Sequence, residues 1–100
     1  MAKYIPNDLL EKFLKSYEND DIWQVHQLNS IWLIVFLYYD KQIDENKNLP
    51  IYQQMKNEYF ELVKKYLDDA PENANQINIQ FDSKEKFDSK YNGDWYDYYH

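Results

Sequence analysis

Hydrophobic residues recur along this chain with two different periods, and the period changes about two-thirds of the way along. Leu9, Leu10, Phe13, Leu14 and Tyr17 fall on one helical face. Pro6-Asn7-Asp8 precedes them and supplies a helix start, because Asn or Asp can cap free N–H groups and Pro suits a first turn. Ile51, Met55, Tyr59, Leu62, Val63, Tyr66 and Leu67 form the cleanest amphipathic stripe, with Pro50 in its first turn and Lys64 and Lys65 near its negative end. Between these stripes lies the longest apolar run, Ile31 to Tyr39. Together with the half-polar stretch before it, the run predicts a central helix from about Ile22 to Tyr39, apolar all round and therefore covered all round. A buried strand over 31–38 competes with it, since Ile, Trp, Val, Phe and Tyr all favour strands. Helix is preferred because the period continues upstream and no Gly or Pro bounds the run.

Residues 41–49 read as a polar loop, and so do 68–75. Beyond them Ile77, Ile79 and Phe81 alternate with Asn78 and Gln80, the signature of a half-buried strand. Asp82-Ser83-Lys84-Glu85 resembles a capping box opening one short turn. Asn92-Gly93, with the only glycine, signals a turn before a last strand at Trp95–Tyr99. The expected fold is α+β and mostly helical. About three N-terminal helices pack with a small C-terminal antiparallel hairpin of 77–81 and 95–99. One domain spans 1–100, divided into a helical part, 1–67, and an acidic, aromatic-rich part, 68–100.

Composition narrows the chemistry. The 100 residues contain no Cys, so a disulfide framework, a thiolate metal site and a cysteine nucleophile are excluded. All 11 basic residues are lysine, which removes the arginine clamp for phosphate. One glycine excludes P-loops and dinucleotide fingerprints. His26 and His100 lack a zinc-ligand spacing, and the serines at 16, 30, 83 and 89 have no nucleophile elbow. The pairs Asp20-Asp21 and Asp68-Asp69 fall at expected helix ends, where capping and solvation account for them. Asp82, Glu85 and Asp88 share a spacing that would hold a divalent ion only weakly. No enzyme activity, cofactor or metal is expected. Met1 to Pro6 lack a charged region followed by an apolar stretch, so no secretory leader is expected. The nine-residue apolar run is too short to cross a bilayer, which takes about 20 residues. The expected location is the cytoplasm, with no membrane partner.

Charge is unevenly placed. Of the net −7, residues 68–100 hold eight acids and three lysines, or −5. The same segment carries seven of the aromatic rings. Acids interleaved with Tyr and Trp make a distinctive surface: the rings are common interface anchors, and the carboxylates steer cations and repel polyanions. Nucleic acid is thus not an expected partner. The expected partner-binding residues are Asp82, Glu85, Asp88, Tyr91, Asp94, Trp95, Tyr96, Asp97, Tyr98 and Tyr99. In a terminal strand, rings at 95, 96, 98 and 99 would occupy both faces, and one core cannot hide both. The alternative is that the rings face the core and the acids form a solvated rim.

In length, in acidity and in the segment Asp94-Trp95-Tyr96-Asp97-Tyr98-Tyr99, the chain resembles the immunity proteins of bacterial toxin systems, of the contact-dependent inhibition and nuclease colicin type. The resemblance implies a cytoplasmic antidote that neutralises one cognate basic toxin domain, expected to be a nuclease, by an interface without catalysis. Two alternatives stand beside it. One is a phage-type inhibitor or DNA mimic acting on a host nucleic-acid-binding enzyme. The other is a homodimeric helical module using the 31–39 run as its interface.

Overall fold

The computed structural model describes residues 4–100; Met1 to Lys3, part of the segment where no leader is expected, lie outside them. The elements are α1 (Asn7–Lys15), β1 (Ile22–Asn29), β2 (Trp32–Leu37), α2 (Gln42–Asn46), α3 (Pro50–Tyr66), a 3-10 turn (Ala74–Gln76), β3 (Asn78–Ser83), α4 (Lys84–Lys90) and α5 (Trp95–Tyr99). The strands form one sheet in the order β1-β2-β3, with β1 antiparallel to β2 and β3 parallel to β2.

The expected arrangement is overturned. Among the described residues there is no N-terminal helical block and no C-terminal hairpin; the sheet sits between the helices. The expected central helix, Ile22 to Tyr39, is a β-hairpin. Asn29 makes the turn by accepting the Ile31 N–H on its side chain at 2.9 Å. The apolar run is the central strand, and Leu33 to Leu37 are all at most 1% exposed. A strand buried on both faces reads as a continuous hydrophobic run, which imitates an all-round apolar helix. Full burial of each such side chain is worth about 2 kcal/mol.

One face of the sheet carries the larger core. Ile22, Val25, Leu33, Val35 and Leu37 meet Tyr52, Met55, Tyr59 and Val63 of α3. Pro50 opens α3 at its first position, as the sequence predicts. The helix α1 lies beside α3: Phe13 stacks on Tyr59 at 5.9 Å, and the Tyr17 hydroxyl donates to the Glu58 carboxylate. The α1 start differs from expectation, for Pro6 holds the cap position and no side chain caps it. Asn19 caps the next segment instead, accepting the N–H groups of Asp21 and Ile22. The 41–49 loop contains the short helix α2. Since parallel β2 and β3 cannot be joined by a tight turn, 38–77 form a crossover that contains α3.

The opposite face is covered by α4 and α5. Ser83 caps α4 by accepting the Lys86 N–H at 3.0 Å. Glu85 does not close the capping box; its carboxylate accepts the Asp40 N–H at 3.0 Å. The last segment is helical, with Asp94 as its cap accepting the Tyr96 N–H at 2.9 Å. A helix resolves the two-face problem of a terminal strand. Positions 95, 98 and 99 share one helical face and turn inward, while 96 turns out.

Candidate functional site

The ten expected partner-binding residues divide into two groups, and the division follows from helical geometry. Phe36 projects from β2 onto the second sheet face, where Trp23, His26, Trp95 and Tyr98 surround it at ring separations of 5.0–6.2 Å. Trp95 stacks on Phe87 at 4.0 Å and on Trp23 at 5.6 Å. Tyr91 meets Tyr98 edge-on at 4.9 Å. These rings form a second, aromatic core, so Trp95, Tyr98 and Tyr91 are half-buried and hold the tail on the sheet. Asp82 is 9% exposed and also belongs inside. Its carboxylate accepts the Tyr98 hydroxyl at 2.5 Å and the Ser83 N–H at 2.9 Å, with the Lys86 ammonium 3.9 Å away. Burial, and then the hydrogen bond to Asp82, push the Tyr98 hydroxyl well above the ordinary phenol range.

The second group faces outward. Tyr96 is 69% exposed, its ring stacked on His100 at 4.3 Å. Asp94, Asp97, Asp88 and Glu85 are exposed as well. Asp88 is matched by Lys84 at 2.6 Å, whereas Asp94 and Asp97 have no ion pair among the described residues. Tyr99 stands between the groups. Its ring is 42% exposed, but its hydroxyl lies 2.6 Å from His26 Nδ1. His26 Nε2 lies 2.7 Å from Gln24 Oε1, which can only accept. Nε2 therefore carries the proton, and Tyr99 donates to Nδ1. Burial lowers the His26 pKa, and it raises that of Tyr99 to about 12.

The structure thus brings Asp94, Tyr96 and Asp97 together as an outward patch on a short helix that is fastened from beneath, Tyr99 among its fastenings. Charge and aromatic ring on one mobile tail would lose entropy on binding; here the backbone is already ordered. Sequence reasoning missed His26 as the residue that fastens Tyr99. It also missed the apolar end of the hairpin, where Leu28, Ile31 and Trp32 are 36–41% exposed. Asn29-Ser30, a turn-forming pair between two apolar stretches, is the signal that locates that end. Among the described residues no group of three or more His, Asp or Glu side chains is arranged to hold a metal ion. No helix of the described chain is long and apolar enough to cross a membrane.

No protein-family model, curated protein or solved structure matches the chain.

Proposed function

We propose that the chain is an immunity-type protein that neutralises a basic toxin domain, a nuclease, by docking against it without chemistry of its own. The observation that carries this reading is the outward patch of α5, an exposed Tyr96 between the unpaired acids Asp94 and Asp97 on a helix held by Trp95 and Tyr98. Carboxylates of this kind accelerate encounter with a cation, and a buried tyrosine slows release. The charge gradient along the chain supports the same reading, because the region bearing the patch holds five of the seven excess negative charges. The 31–39 run does not support a helical dimer interface, because its middle is the interior of the sheet.

The test begins with capture from the source cell by the full chain, followed by purification of the captured protein and assay of its nuclease activity with and without the chain. A strongly basic protein whose nuclease activity falls in stoichiometric complex is the expected result. Replacing Asp94 and Asp97 by Asn should slow association about tenfold at low salt and flatten its salt dependence. A captured protein that is acidic, or an association rate indifferent to both substitutions and salt, overturns the reading.

A further inference from the structure

The sheet ends at β1, and that edge is open. Among the described residues, the backbone of Trp23 to Leu28 forms hydrogen bonds only within the sheet. Only the ends of the strand are tied elsewhere: Ile22 N–H donates to the Asn19 side chain, Ile22 C=O accepts the Asn19 N–H, and Asn29 C=O accepts the Tyr59 hydroxyl. Alternate N–H and C=O groups between them point away from β2 and have no partner among the described residues. Natural sheets usually blunt such an edge with charge, proline or a covering segment. Here eight residues, Ile-Trp-Gln-Val-His-Gln-Leu-Asn, carry no proline, Lys, Asp or Glu. The irregularities in pairing fall near the two ends, between Ile22 and Gln24 and between Gln27 and Asn29. The middle is regular.

A groove of about 510 Å³ runs beside this edge, between β1 and α1. Leu10, Leu14 and Val25 give it apolar walls, and Glu11, Lys15 and Glu18 give it a lip with one excess negative charge. Glu11 is matched by Lys15 at 2.8 Å, but Glu18 has no ion pair among the described residues. The other sheet edge, β3, is flanked by a groove of opposite character, lined by Lys47 and Lys56. The two edges of the sheet therefore differ in the charge they present to an incoming strand.

We infer that β1 is a docking edge for an extended, lysine- or arginine-bearing segment of the partner protein, which adds to the sheet as a fourth strand. Main-chain hydrogen bonds to Trp23–Leu28 supply the attachment, alternate apolar side chains enter the groove, and Glu18 selects a cationic residue. A second copy of this chain fits less well, since each copy carries −7 and both β1 grooves present the same acidic lip. The inference rests on the functional reading above only for the positive charge of the partner; it adds a second contact on a different part of the molecule.

The experiment follows backbone amide exchange by NMR in the full chain, with a short synthetic peptide alternating valine and lysine as the probe. A peptide alternating valine and glutamate is the control. The lysine peptide should slow exchange at alternate amides between Trp23 and Leu28 by about tenfold or more at saturation, and leave β3 unchanged. Glu18→Gln should weaken this binding about threefold, and Leu28→Lys, which blunts the edge, more than that. Both side chains are exposed, and an unchanged thermal midpoint establishes that either variant is folded. No protection in β1, protection in β3 instead, or equal binding of the glutamate peptide overturns the inference. Capture and amide exchange, both measured on the parent chain, separate the two claims. β1 protection by the lysine peptide with no basic protein captured removes the functional reading alone. Capture without β1 protection removes the docking edge alone.

Discussion

The Tyr98 hydroxyl donates to the Asp82 carboxylate at 2.5 Å, joining the last helix of the chain to the end of its last strand. Asp82 is the one acid among the expected binding residues that lies inside, and the bond explains why it is tolerated there: its oxygens are met by the tyrosine, by the Ser83 N–H and, more distantly, by Lys86. The residue anchors the tail beneath the patch.

Tyr98→Phe should cost about 2 kcal/mol, because it leaves a nearly buried carboxylate short of a donor. In a chain of this size that lowers the thermal midpoint by about 10 °C. A double-mutant cycle with Asp82→Asn checks the assignment: the coupling between the two positions should exceed about 1 kcal/mol, and additive effects would show that the bond carries no net stability.

His26 predicts a pH dependence on the acid side. Burial lowers its pKa in the folded chain below the unfolded value of 6.5. As pH falls through about 6.5 the unfolded chain takes up a proton before the folded chain does, so stability declines toward the lower, folded-state pKa. Above that window the contribution is constant. Denaturant titrations between about pH 7 and pH 5 should show this slope in the parent and a shallower one in His26→Gln, where no proton is taken up at this position.

Trp95 and Tyr96 are adjacent in sequence but should behave oppositely. Trp95→Ala empties the middle of the aromatic core and should cost about 3 kcal/mol, less than a fully buried tryptophan. Tyr96→Ala, at an exposed ring, should change stability by less than about 0.5 kcal/mol. With the captured partner, Tyr96→Ala should raise the dissociation rate several-fold. Chemical denaturation and surface-bound kinetics on the same two variants read both effects.

Gly93 ends the turn after α4 with φ of +68°, directly after Asn92 at φ of +54°. Its N–H donates to the Phe87 carbonyl at 3.1 Å, closing the helix end. An added Cβ would meet nothing closer than Asp88 Oδ1 at 3.7 Å, so space is not the obstacle. Gly93→Ala should therefore cost about 1 kcal/mol from backbone conformation alone. Replacement by Asn, which tolerates the left-handed region, should cost less, and thermal melts of the two variants rank them.

Local chemistry specified a good part of this protein. The stripe from Ile51 to Leu67, with Pro50 before it, is α3; the Leu9–Tyr17 face is α1; Ser83 is the cap of α4; Ile77–Phe81 marks β3. Each of these signals is contained within a few residues, in a period, a cap or a turn. What lay outside such signals was decided by neighbours. Whether 31–39 is helix or strand depends on what covers its two sides, and the answer lies in α3 on one side and in the aromatic tail on the other, both distant in sequence. Whether 95–99 is strand or helix depends on what lies beneath it: the segment packs across the sheet face, where Phe36 and Trp23 offer rings that one helical face can reach at once. The sequence placed acids and rings together in its last third, and it determined their number and charge. Only the fold separated Asp82, Trp95 and Tyr98, which hold the tail, from Asp94, Tyr96 and Asp97, which it presents. Alternation and composition record which side chains are apolar, whereas burial is a property of the surfaces that meet them.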